Sequence, residues 1–177
     1  MLTNTHRWLL PLMRHAWVLH SARTALAATI SLAVANLFSL PEGYWAPIST
    51  IIVMQSTLGA SWGASKQRLI GTVIGAAFAS LLASLFVPRL IVFGAGVFVL
   101  GLICAALHLS QSAYRFAGVA FAITVLLTRD ESIWLIGLHR IVEVSLGIAA
   151  ALVICAIGPD FTLPTVGSSG EGKAGVS

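Results

Sequence analysis

The chain has 177 residues, of which 58% are hydrophobic and 9% charged, with a formal net charge of +4. A soluble domain carries about a quarter charged residues, so a water-facing surface cannot be assembled here, and a mean hydropathy of +0.95 points to a membrane. The basic residues stand singly between apolar runs, which excludes a nucleic-acid footprint and fits charge sorting across a bilayer.

The length suits one domain, read as a cytoplasmic amphipathic segment over 1–22, a transmembrane unit over 23–158 and a disordered cytoplasmic tail over 159–177. In the first segment Arg7 and Arg14 share one side, while Leu9, Leu12 and Ala16 gather opposite, as in a helix lying on the cytoplasmic leaflet. A signal peptide cleaved at Ala33-Val34-Ala35 is the competing reading, but its basic region is too long and apolar sequence continues past that site.

A spanning helix needs about 20 apolar residues. The predicted spans are Thr24–Leu40, Trp45–Ala64, Leu69–Val87, Leu90–Leu109, Ser110–Thr128 and Ile133–Ile157. Breakers at Pro41-Glu42-Gly43, Ser65-Lys66-Gln67, Pro88-Arg89, Ser110-Gln111-Ser112 and Arg129-Asp130-Glu131 separate them. The tail around Ser168, Ser169, Gly170 and Gly172 is Gly/Ser-rich. With the N-terminus inside, Arg7, Arg14, Arg23, Lys66, Arg68, Arg115 and Lys173 fall on the cytoplasmic side and Arg89, Arg129 and Arg140 outside. That excess predicts both termini in the cytoplasm.

The two halves echo each other. Arg68-Leu-Ile-Gly-Thr-Val-Ile-Gly75 matches Arg140-Ile-Val-Glu-Val-Ser-Leu-Gly147 at a spacing of 72, and Tyr44-Trp45-Ala46 falls opposite Tyr114-Arg115-Phe116-Ala117. The predicted fold is therefore all-α and polytopic, with six transmembrane helices as two inverted three-helix repeats, since an odd number of spans reverses the second copy. Chance likeness between apolar helices is the alternative.

In repeat transporters, irregular helices at matching positions point to the binding site. Helix two carries Pro47 near its start and Gln55 near its middle, and helix five carries Arg115. Pro47 fits a first helical turn as well as a kink. Gln55 fits an interhelical hydrogen bond as well as a polar path. Arg140 and Glu143 stand one turn apart on helix six: an anion-attracting group with its partner or a proton-coupling carboxylate, or else an ion pair at the outer interface. Arg68 reads as a topology anchor that doubles as an anion gate, and Gly71, Gly75 and Gly147 as helix-packing positions. Tyr44, Trp45, Trp62 and Trp134 suit interfacial belts, with stacking on an aromatic ligand as the alternative, and Tyr44 and Trp45 are the candidates for the substrate path. Cys104 and Cys155 lie in apolar segments without metal or disulfide spacing, and His15, His20, His108 and His139 show no ligand pattern. No nucleophile elbow, P-loop or paired-carboxylate motif is present, so neither enzyme chemistry, a metal nor a cofactor is expected.

With these residues laid out, the chain resembles the fusaric acid resistance / aromatic acid exporter family of integral membrane bound transporter domains, itself distantly similar to the plant aluminium-activated malate transporters. The matching stretches are Ala22-Arg23-Thr24-Ala25-Leu26-Ala27-Ala28, Leu40-Pro41-Glu42-Gly43-Tyr44-Trp45-Ala46-Pro47, Gln67-Arg68-Leu69-Ile70-Gly71-Thr72-Val73-Ile74-Gly75 and Arg140-Ile-Val-Glu143, within residues 20–160. The resemblance implies a six-helix unit in the bacterial inner membrane that exports small organic anions, aromatic ones among them. Full-length family members pair two such units around a cytoplasmic region, so a single unit is expected to act as a homodimer. A passive anion conduit and a non-transporting membrane scaffold are the competing functions.

Overall fold

The computed structural model describes residues 6–85, 90–126 and 133–158, with side chains from residue 15 in the first stretch and from 134 in the last. Arg7, Arg14, Arg89, Arg129, Lys173 and the 159–177 tail, all used in the readings above, lie outside the described residues or side chains. The described chain forms six helices: α1 (His6–Leu37), α2 (Trp45–Val53), α3 (Leu58–Leu85), α4 (Leu90–Ala106), α5 (Gln111–Leu126) and α6 (Ile133–Ile157). No strand occurs among the described residues.

Three of these are long and apolar enough to cross a membrane: residues 15–37 of α1, all of α3 and residues 134–157 of α6. α4 is a shorter apolar helix. With 9 and 16 residues, α2 and α5 fall short of the roughly 20 that a span needs.

Two predicted boundaries are displaced. The expected separation between an interfacial segment and the first span is absent, because α1 runs unbroken from His6 to Leu37. Ser21-Ala22-Arg23 contains neither Gly nor Pro, and the Thr24 hydroxyl returns to the His20 carbonyl at 2.9 Å, leaving the backbone ladder intact.

The second span, expected over Trp45–Ala64, is cut at Met54–Thr57. Met54 turns extended (φ −65°, ψ 116°) and α2 ends. Thr57 then caps α3, its hydroxyl accepting the Ala60 N–H at 3.3 Å, and the Gln55 N–H donates to Ser61 Oγ at 3.0 Å. Ser65-Lys66-Gln67, read as a breaker, lies inside α3, where all three are tolerated helix formers. At α5, Ser110 plays the Thr57 role, accepting the Ala113 N–H at 3.2 Å.

α1 and α4 stop in the same way. Ser39 (φ 50°) and His108 (φ 52°) enter the left-handed region. One residue later, Leu40 N–H reaches back to the Ala35 carbonyl at 3.1 Å, and Leu109 N–H to that of Cys104 at 3.0 Å. These are Schellman closures built without glycine.

α3 and α6 form an antiparallel central pair, touching near one end through Ser61 and Cys155 (3.4 Å) and near the other through Ser80 and Gly137. The short helices cross over between halves: α2 lies along α6, and α5 lies along α3. Two separate cores result. Ala27 of α1, Val53 of α2 and Val144, Ile148 and Ala151 of α6 make one. Ala79 of α3, Leu100 of α4 and Ala117 and Phe121 of α5 make the other, with Phe121 stacked between Phe78 and Phe93 at 5.6 and 5.8 Å.

Candidate functional site

The site lies where the turn between α1 and α2 meets the middle of the α3–α6 pair. Seventeen residues separate Arg68 from the end of α3 at Leu85, and seventeen separate Arg140 from the end of α6 at Ile157. At 1.5 Å per residue the two helices therefore run about 26 Å in opposite directions from the arginines. Arg68 and Arg140 line one crevice together with Thr72, Val144, Trp45 and Phe116. Their side chains are 4% and 2% exposed, so Arg68 is not a loop anchor and Arg140 is not a snorkelling interfacial residue. Both sit at the centre of the bundle. The expected charge count had placed them on opposite sides, and each side loses one.

Arg140 is held by two carboxylates. Its Nη2 donates to Glu42 Oε2, and its Nη1 lies 3.6 Å from Glu143 Oε2. The Glu42 backbone N–H donates to Glu143 Oε1 at 3.0 Å, and Trp45 Nε1 donates to Glu42 Oε2 at 3.1 Å. The guanidinium also lies over the Trp45 ring, 4.2 Å from its centroid. Trp45 thus packs into the Arg140–Glu42 cluster. Trp62 and Trp134 remain exposed, as belt residues would be.

Arg68 has a different company. Its Nη2 donates to Ser49 Oγ at 3.3 Å, and its guanidinium lies over the Phe116 ring at 4.8 Å. Among the described residues no acidic side chain pairs with it. The Nε atoms of Arg68 and Arg140 are both buried without a hydrogen-bond partner. A buried guanidinium that lacks a carboxylate is costly in low dielectric, and an anion in the crevice would relieve that cost.

The packing glycines bring these groups together. A Cβ at Gly75 would collide with the Ala117 carbonyl, and one at Gly147 with the Ala46 carbonyl, so both helices approach their short partners backbone to backbone. Gly71 does the same against Ala113 and Phe116. Beside Gly147, the Thr50 hydroxyl lies 2.9 Å from the Gly147 carbonyl and 3.0 Å from Ser31 Oγ, tying α2 to both α6 and α1.

Of the candidate residues, Arg68, Arg140, Glu143 and Trp45 converge. Tyr44 stays half-exposed with its ring 5.7 Å from that of Trp45. Pro47 takes the third position of α2, where no helical N–H is needed, so it does not kink the helix. Gln55 marks the α2–α3 break, its carbonyl 3.7 Å from Cys155 Sγ and away from the arginines. Arg115 is exposed on α5 and does not reach the crevice. In the sequence Glu42 reads as turn punctuation, Phe116 stands only within the internal echo, and Ser49 carries no signal. The signal for Glu42 was its rarity, since the chain has only six acidic residues.

The family model described as fusaric acid resistance protein-like matches residues 16–154. The chain belongs to the fusaric acid resistance protein-like family. The chain is 28% identical over 158 residues to the Escherichia coli (strain K12) inner membrane protein YeeA, covering 82% of this chain and 42% of that one. It is 29% identical over 149 residues to the uncharacterized transporter YdhK of the same organism, covering 79% and 22%. A 28% identity over 123 residues links it to the Synechocystis protein slr1298, covering 70% and 16%. The chain thus spans less than half the length of these relatives. No solved structure matches it.

Proposed function

We propose that this fusaric acid resistance protein-like unit is a bacterial inner-membrane secondary transporter that exports small organic anions. The carrying observation is Arg68: a buried cation at the bundle centre, facing an aromatic ring, with no acidic partner among the described residues. Membership of the family and likeness to a protein named as a transporter support the reading. Phe116 and Trp45 beside the two guanidiniums suit an anion with an aromatic or planar body. The crevice holds about 10 Å³, room for one water. Passage of an organic acid therefore needs α2 or α5 to move, which favours a carrier over a standing conduit.

Six membrane helices in two inverted three-helix repeats remain the architecture we propose. Three matched features support it: Gly75 on Ala117 with Gly147 on Ala46, Arg68 on Phe116 with Arg140 on Trp45, and Ser39 with His108 at the helix ends. We also propose that the unit acts as a homodimer with both termini cytoplasmic. Its span of 42% and 22% of two relatives leaves room for a second unit in each of them.

The test is flux in proteoliposomes, using a panel of aromatic and dicarboxylic acids with and without a pH gradient. Saturable flux of at least one acid, lost in R68Q, is the expected result. Folded protein that moves none of them would sink the transporter reading and favour the scaffold.

A further inference from the structure

We infer that Glu42 and Glu143 together hold one exchangeable proton, taken up as an anion binds between Arg68 and Arg140. The inference rests on the anion-site reading above and adds its coupling. Four buried charges gather here: Arg68 and Arg140 line the crevice, and Glu42 and Glu143 hold Arg140 from behind it. They sum to zero. Neutrality is what a low-dielectric centre demands, because net buried charge is expensive. An arriving carboxylate adds one negative charge, and one proton on the glutamate pair restores the balance.

The geometry supplies the route. Glu42 and Glu143 share the Arg140 guanidinium, and Glu143 Oε1 also accepts the Glu42 backbone N–H at 3.0 Å. The two acids therefore compete for one cation. Protonating either one weakens its hold, and Arg140 becomes available to the anion already facing Arg68. Electrons and atoms balance without a further reactant: a solvent proton joins a glutamate oxygen, and the substrate carboxylate takes that oxygen's place beside Arg140.

Other ionisable groups stand apart from this exchange. On α6, His139 is one turn before Glu143 and only partly buried. On α1, the titratable and charged side chains described are His15, His20 and Arg23. Arg23 is bound to the carbonyls of Ile154 and Cys155 at the far end of α6. On α3 the remaining cation, Lys66, is exposed over Trp62. On α5, Arg115 is exposed.

The experiment uses the full chain in detergent, with benzoate as probe between about pH 6 and about pH 8, where a carboxylic acid stays ionised. Binding is followed by calorimetry. Wild-type affinity is expected to strengthen on acidification by up to about tenfold per pH unit, the limit for one linked proton. E42Q and E143Q, which mimic the protonated acids, are expected to bind with a flat pH dependence. R68Q is expected to lose binding at every pH. A second measurement needs no variant: benzoate added to weakly buffered wild-type protein should draw protons from solution, up to about one per anion bound. Binding that depends on Arg68 but not on pH, without proton uptake, overturns the coupling alone. Folded wild type that binds no benzoate at any pH overturns the benzoate-site reading and the coupling with it.

Discussion

Gly75 meets the Ala117 carbonyl as Gly147 meets that of Ala46, so each long central helix is pressed against a short helix from the other half of the chain. Helices in lipid gain little from hydrophobic exclusion and associate through close backbone approach. G75A and G147A should therefore each destabilise the fold by about 1–3 kcal/mol, the usual cost of overpacking. Gly59 and Gly63, with open space around them, should tolerate alanine. Thermal unfolding followed by circular dichroism checks both halves of that contrast.

The two arginines should respond to removal to different degrees. R140Q leaves two buried carboxylates facing each other and should cost about 3–5 kcal/mol, as breaking a buried ion pair does. R68Q removes a cation that has no acidic partner among the described residues. It breaks no ion pair but leaves one glutamate charge uncompensated, so it should lower the melting temperature less than R140Q does while abolishing anion flux. Melting and flux measured on the same preparations separate the two roles. Equal destabilisation by both would contradict them.

Glu42 and Arg140 should be energetically coupled. E42A and R140A, each made singly and then together, should give a cycle with an interaction energy of about 0.5–3 kcal/mol. Pairing E42A with R68A should give a smaller one, because Arg68 donates to Ser49 and not to Glu42. Denaturation midpoints of the six proteins, wild type included, read both cycles directly.

The α2–α3 break depends on two hydroxyls. T57A removes the α3 cap and S61A removes the acceptor of the Gln55 N–H, each at a cost of about 1 kcal/mol. Because the break ends the helix that carries Trp45 and Ser49 to the two arginines, both should also slow flux more than they weaken benzoate affinity. An equal fall in rate and affinity would place the break outside the transport motion.

The membrane class, six helices and the extent of α6 were legible in the sequence, because hydropathy, Gly/Pro punctuation and length are local signals. The Arg-to-Gly spacing of seven was legible too, and the glycines it named are those that let the helices close. The α2–α3 break was not, since Met54-Gln55-Ser56-Thr57 holds neither Gly nor Pro and works through the Ser61 and Thr57 hydroxyls. Glu42 was missed for a different reason. Its partners Arg140 and Glu143 are 98 and 101 residues away, and only the packing of α2 along α6 brings them together. Arg140 reads as the anion-attracting group, yet two glutamates already hold it, and Arg68, lining the same crevice, has no acidic partner among the described residues.

The exchange of short helices between halves also sets an order of assembly. Thr50 waits for Gly147, 97 residues further along the chain, before α2 has its neighbour. During synthesis Glu42 emerges without Arg140, and α3 finds most of its packing only once α5 and α6 follow. Neither half is a finished object, so a chain stopped ahead of α6 should be cleared by proteases, and the two halves made separately should recover function only when produced in the same cell.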